Sequence, residues 1–309
     1  MTPGLQSVLH PAAPDAAIIA HLGWVLFIGG TLIFIAVMWL LWRSLRHQPQ
    51  KVRTRVWIVG GGLLFPVAVL TLLLAYSTWR TAQFGAQGSR GAMPVSVIGK
   101  MWWWVLRYPD PSGGPDIVSA NELRIPVGRP VYLGLSTTDV IHAFWVPQLG
   151  GKVDMVPGRI HGLTVRADKP GVYRGQCAEY CGEQHARMVL HVVAMPQAEF
   201  DAWLSAQARD AQPSANAMLQ QGRDAYLAQR CNACHTVRGV GSGAALGPDL
   251  THVGSRMHIA AGTLRTDHAA LAGWIADPQA IKHGARMPGA GRMDGETLRA
   301  LAAWLESLK

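Results

Sequence analysis

Residues 177–188 read C-A-E-Y-C-G-E-Q-H-A-R-M, which sets Cys177, Cys181, His185 and Met188 at successive intervals of four, four and three. Two thiols, an imidazole and a thioether on one short loop make a soft donor set of the kind that selects copper. A structural zinc site takes cysteine pairs two to four residues apart with a second pair elsewhere, and a thioether is foreign to it. A zinc ion, or a disulfide between Cys177 and Cys181, is the plainer alternative. The second constellation is C-N-A-C-H at 231–235, the attachment motif of a c-type haem. Cys231 and Cys234 on one helical turn can form thioethers to both vinyl groups, and His235 then faces the iron. Thioredoxin-like redox sites also use C-x-x-C, but no βαβ pattern surrounds this one. Four cysteines in 309 residues are too few for a disulfide scaffold.

The elements that must carry these groups begin with two apolar stretches. Leu22–Trp42 and Val56–Trp79 run for 21 and 24 residues without a charge. At about 1.5 Å per residue each exceeds the roughly 30 Å hydrocarbon core of a bilayer, so both read as membrane-spanning helices, over about 18–42 and 56–79. Tryptophans 24, 39, 42, 57 and 79 sit toward their ends, where indoles favour the interface. Gly60–Gly62 and Pro66 are tolerable in lipid, against a neighbouring helix. Between the spans Arg43, Arg46, Lys51, Arg53 and Arg55 occur with no acid, while the first 21 residues hold no Lys or Arg. The positive-inside rule therefore places the loop in the cytoplasm and both termini outside. The absent basic stretch before the first span, and that span's length, argue against a cleaved signal peptide.

Composition agrees: 49% of residues are hydrophobic and 15% charged, which excludes a disordered chain and argues against a purely soluble one. Five of the nine excess positive charges sit in the cytoplasmic loop. No basic stripe interleaved with aromatics remains to follow a phosphate backbone, so nucleic acid is excluded as a partner.

From about residue 94 to 195 short β-branched and aromatic runs alternate with turn clusters: PVSVIG, MWWWVLRY, ELRIPVG, PVYLGLS, RIHGLTVRA, GVYRGQC and MVLHVVAM. Seven such runs predict a β-sandwich or barrel. Gln197–Ala206 reads as a short helix and 207–216 as a polar linker. Beyond it GRDAYLAQR, TDHAALAGWIAD and DGETLRALAAWLESL read as helices, with Thr266 as an N-cap and Pro278 as a stop for the middle one. A domain this small needs a cofactor in its core. The expected layout is therefore 1–92 tail and hairpin, 93–205 β domain, 206–216 linker and 217–309 helical domain.

Over residues 5–205 the chain resembles subunit II of the haem–copper cytochrome c oxidases. The resemblance rests on the hairpin, on D-V-I-H-A-F-W-V-P-Q-L-G-G-K-V-D-M-V-P-G-R at 139–159, and on the 177–188 loop. It implies a transmembrane hairpin and a cupredoxin-like β-barrel, which with the helical C-N-A-C-H region beyond them make a multi-domain membrane protein ending in an all-α cytochrome c domain. It further implies the dinuclear copper centre CuA, with Cys177 and Cys181 bridging two coppers and His142 and His185 binding one each. Met188 and the backbone carbonyl of Glu179 would be the weak outer ligands, with the Glu179 carboxylate reaching a magnesium shared with subunit I. His142 by itself would read as an ordinary barrel histidine. Bridging thiolates spread one unpaired electron over two metals, so each bond changes little on transfer. Trp102, leading the run Trp102–Trp104, would be the surface where electrons come in. Many relatives carry a glutamate before that run, at the mouth of a proton path. Here Tyr76 to Pro109 contains no acid.

The stretch I-K-H-G-A-R-M-P-G at 281–289 resembles the methionine ligand loop of cytochrome c. Met287 is the preferred sixth haem ligand, with Met257 and Met293 as alternatives. The family reading implies an electron-input subunit of a proton-pumping oxidase in a bacterial inner membrane, copper and haem domains on the periplasmic side. Its partners would be subunit I, subunit III and a donor such as a cytochrome c or an upstream respiratory complex. The copper subunit of a nitric oxide reductase is the alternative in the same class. A copper chaperone is the alternative in another, and it would need neither Met188, nor a second histidine, nor a haem.

Overall fold

Two apolar helices open the chain and end in bands of tryptophan and arginine. The structure is a computed structural model describing residues 6–46, 53–85, 91–214, 216–243 and 245–309. Helix α1 (Pro14–Arg46) starts on a proline, whose missing N–H costs nothing in a first turn, with Asp15 beside it favoured by the helix dipole. Its 33 residues make it about 50 Å long, well beyond the predicted span. The extra turns anchor the membrane segment: Ala13 and Ala16 belong to the core of the β domain, and Ala12 N–H donates to the Gln148 carbonyl at 2.8 Å. Val56–Leu64 is wound as a π-helix and passes at Pro66 into α2 (Phe65–Thr81). Leu26, Phe27, Phe34, Leu70 and Leu72 lie bare, as lipid-facing side chains do. Arg43 lies over Trp39 and Arg46 over Trp42 at one end, Arg80 over Trp79 at the other. Lys51 of the basic loop falls outside the described residues, as does residue 215 of the predicted linker.

The β domain holds two five-stranded sheets. One runs in the order β3 (Ile117–Ala120), β2 (Trp103–Tyr108), β1 (Met93–Lys100), β5 (Val131–Thr137), β8 (His161–Val165). The other runs β4 (Glu122–Pro126), β10 (Val189–Met195), β9 (Gly171–Cys177), β6 (His142–Trp145), β7 (Val153–Met155). Alternate residues of β1 and β5 point inward, and Trp104, Leu106, Leu133, Phe144 and Leu190 fill the space between sheets. The β1–β5 and β4–β10 pairs are parallel, the remainder antiparallel. This is the curled, cupredoxin-like half-barrel the resemblance implies.

Three strands, β3, β6 and β7, were not predicted; at three or four residues each they are too short for an alternation to show. The predicted strand over MWWWVLRY loses its first two residues. Met101 and Trp102 form the turn after β1, and pairing begins at Trp103.

Helix α3 (Gln197–Gln207) lays Phe200 and Leu204 on the β core. The helical domain comprises α4 (Ala217–Ala228), α5 (His268–Ala276), α6 (Pro278–Ile281) and α7 (Gly295–Ser307), with a two-residue ribbon of β11 (His258–Ile259) and β12 (Leu264–Arg265). Helix α4 begins earlier than predicted because Asn216 caps it, accepting from the amides of Met218 and Leu219. The expected cap Thr266 is corrected. Asp267 caps α5 by accepting from Ala270 N–H, while the Thr266 hydroxyl is buried without a partner. A carboxylate is the better acceptor beside the positive end of a helix. The helix stops at Ala276, and Pro278 starts α6 instead of merely ending α5.

Candidate metal and haem centres

Strand β9 delivers Cys177 to one end of the sandwich, and the chain loops back to β10 through Cys181, His185 and Met188. Strand β6 supplies His142 as its first residue, beside β9. Six donor atoms converge there. Cys177 Sγ lies 3.7 Å from Cys181 Sγ, 3.7 Å from His142 Nδ1 and 3.2 Å from the Glu179 carbonyl oxygen. Cys181 Sγ lies 3.6 Å from His185 Nδ1 and 3.8 Å from Met188 Sδ. Both thiols are free, and their separation is far from the roughly 2 Å of a disulfide. Two sulfurs flanked symmetrically by two imidazoles, with a thioether and a carbonyl beyond, fit a pair of soft metals better than one tetrahedral zinc. The hydrogen bond between the thiols pushes Cys177 down and Cys181 up, so Cys177 is the readier of the two to act as a thiolate.

Sequence reasoning missed Asp139. Its Oδ1 sits 2.8 Å from His142 Nε2 and also accepts from Val140 N–H at 2.8 Å, while Oδ2 accepts from Met101 N–H at 2.8 Å. With Nε2 bonded to the carboxylate, the wholly buried His142 ring turns Nδ1 to the sulfurs. Although burial opposes it, the hydrogen bond from His142 holds the Asp139 carboxyl below its usual range. A carboxylate three residues before a ligand histidine was the available signal. The Glu179 carboxylate is half-exposed, 3.6 Å from Lys152 Nζ.

The three tryptophans divide. Trp104 is core, Trp103 lies under Lys100 Nζ, and Trp102 Nε1 donates to the Cys181 carbonyl at 2.9 Å.

Trp102 also borders a cavity of about 750 Å³ between the β and helical domains. Cys231, Cys234, His235, Met287 and Met293 line it, whereas Met257 does not. Such a volume suits a large, flat, mostly apolar cofactor. His235 is half-buried, and its Nδ1 lies 2.7 Å from the Pro248 carbonyl, which leaves Nε2 for a metal. Burial lowers the His235 pKa and keeps the ring neutral, the form that ligates. Gly247 is required here, since a Cβ on it would lie 2.4 Å from the imidazole. Arg256 Nε and His258 Nδ1, on the same wall, are buried donors without a partner. The two cysteines, the free His235 Nε2 and the two methionines around the cavity fit a covalently held haem.

The domains meet along β4 and β10. Glu122 Oε2 accepts from Met257 N–H at 2.8 Å, Arg124 donates to the Ser255 carbonyl at 3.2 Å, and His191 stacks on His258 at 4.3 Å. Burial, aided by neighbouring His258, pushes His191 down to about 4, with Arg174 lowering it further and Glu122 opposing; His258, which also faces Glu122 and Arg265, is lowered chiefly by burial. An undocked His191 takes a proton near its ordinary 6.5, which the docked ring refuses until about pH 4. Docking is therefore strongest above pH 6.5 and weakens as pH falls through that window. We expect the thermal midpoint to drop by several degrees between pH 6.5 and 4, and His191→Phe to flatten that drop. An equal pH slope in both proteins would refute the assignment.

Known proteins match both regions. A family model described as "Cytochrome C oxidase subunit II, periplasmic domain" matches residues 115–195, and one described as "Cytochrome c" matches 219–309. The cytochrome c oxidase subunit 2 of Alkalihalophilus pseudofirmus is 32% identical over 290 residues, covering 90% of this chain and 83% of that one. The proteins of the same description from Bacillus sp. (strain PS3) and Bacillus subtilis are 31% and 29% identical, over 85% and 80% of this chain and 75% and 70% of theirs.

Proposed function

Because the chain belongs to the cytochrome c oxidase subunit II family and carries a cytochrome c domain, we propose that it is the electron-input arm of a respiratory haem–copper oxidase. One observation carries the reading: the six-donor cluster and the haem-sized cavity lie on either side of Trp102, which touches both. When bound, the haem iron and the copper pair each supply a one-electron couple. Cys231 and Cys234 would anchor the haem covalently, and His235 and Met287 would hold its iron. Cys177, Cys181, His142, His185, Met188 and the Glu179 carbonyl would hold the copper pair. Asp139 fixes the His142 ring so that little has to move on transfer. The chain thus accepts electrons from a donor cytochrome c or an upstream complex and hands them to subunit I, where oxygen is reduced to water and protons are pumped.

The domain limits proposed with this reading are 1–92, 93–205, 206–216 and 217–309. Subunit III and a magnesium shared through Glu179 are proposed on the family resemblance. The β and helical domains are placed on the periplasmic side, from the basic inter-helix loop. A covalent haem domain held beside the copper loop raises its local concentration and removes a diffusional encounter.

Metal analysis tests the proposal. Two coppers and one covalent haem per chain, with a near-infrared mixed-valence band, are expected. One copper and no haem would favour a chaperone. The site of the co-purifying large subunit distinguishes oxygen from nitric oxide as final acceptor. Met287→Ala is expected to abolish the sulfur–iron absorption of the oxidised haem and lower its potential, while Met293→Ala leaves both unchanged. The reverse pattern would transfer the ligand role to Met293.

A further inference from the structure

Lys282 is 3% exposed, yet among the described residues no carboxylate pairs with it. Its Nζ donates to the Trp102 carbonyl at 2.9 Å and to the Arg187 carbonyl at 3.0 Å. The first belongs to the turn after β1, the second to the copper loop between His185 and Met188. Taking an ammonium out of water without a counter-ion is costly, so the two carbonyls it reaches must repay the burial. Its chain neighbours are fastened to the same loop. The Arg187 guanidinium donates to the Ile281 carbonyl, Gln184 Nε2 to the His283 carbonyl, and the His283 ring bonds Glu183. Thus residues 281–283, at the start of the Met287 loop, are stapled to residues 183–187 of the copper loop. Trp102 closes the seam through its bond to the Cys181 carbonyl.

We propose that Lys282 is the positioning residue that holds the haem-ligand loop in fixed register on the copper loop, so that the face around Trp102 receives electrons from the chain's own haem domain and not from a diffusible donor. This rests on the electron-input reading. The step it serves is a single electron leaving ferrous haem, which ends ferric, and entering the oxidised copper pair, which ends reduced by one, with no bond made or broken.

The test is laser photoreduction of the haem in the intact, fully loaded chain, following iron and copper absorption together. Wild type is expected to transfer in one exponential phase, independent of solvent viscosity and salt. Lys282→Met, with both absorption spectra and both potentials unchanged, is expected to transfer at least tenfold more slowly, in several phases that lengthen with glycerol as the domains search for register. Lys282→Arg, which can still reach both carbonyls, should restore most of the rate. An unchanged rate in Lys282→Met, or a shifted copper potential with an unchanged viscosity response, overturns the positioning role. Failure of the wild type to pass any electron to copper overturns the electron-input reading instead. In case Lys282→Met does not fold, amine acylation of the native chain gives a second measurement: half-exposed Lys152 should react at least tenfold faster than Lys282. Equal labelling would show that the staple is not closed.

Discussion

Cys177→Ser is expected to yield a chain that carries its haem and folds, yet loses the near-infrared copper band and about a thousandfold or more of oxidase turnover with a reduced donor. Cys177 Sγ is the hub of the cluster, in reach of His142, Cys181 and the Glu179 carbonyl at once. A serine oxygen is a hard donor with a far higher pKa than a thiol, and it cannot bridge two soft metals by sharing electron density. Losing a residue that only orients a ligand costs about 10–100-fold in affinity or activity; losing a thiolate proposed to bridge two metals would remove the centre itself. The substitution is small and lies away from the cavity, so the haem spectrum serves as the internal control. Retention of two coppers with an unaltered band would show that the thiolate is not a ligand.

A large stability effect is expected at Gly222, where α4 crosses α7. A Cβ built there would lie 2.1 Å from the Ala300 carbonyl oxygen and 2.7 Å from Trp304 Cβ, so an alanine must push two backbones apart by about 1 Å. Helix propensity alone argues the other way, since Gly to Ala inside a helix is worth about 1 kcal/mol of stabilisation. Overpacking wins, because the same crossing seats Tyr226 against Trp304 and the Tyr226 hydroxyl on the His235 carbonyl at 2.8 Å. Gly222→Ala should destabilise the helical domain by about 2–4 kcal/mol and lower the midpoint at which the haem loses its Soret circular dichroism by roughly 10–20 °C. A raised midpoint would mean that the helices separate freely and that packing at Gly222 does not hold the domain.

Both effects trace to different kinds of information. Cys177, Cys181, His185 and Met188 were readable because they share twelve consecutive residues: one loop must bring them together whatever the remainder of the fold does. C-N-A-C-H was readable for the same reason, and the two spans because lipid leaves an uncharged stretch of that length one solution. His142 lies 35 residues before Cys177 and was placed only through family resemblance; its partner Asp139 was missed, although the carboxylate stands three residues away. Short strands such as β6 and β7 carry too few residues for an alternation, and Thr266 and Asp267 are both good caps until the chain's path selects one.

The composition and local spacing of this chain determined which donor groups stand together, since ligand sets, attachment motifs and apolar spans are properties of neighbouring residues. Where those groups stand relative to one another was decided by tertiary structure alone. Lys282 reaching Trp102 across 180 positions, or His191 stacking on His258, has no periodicity to announce it, because a contact between two surfaces depends on how both domains are already folded.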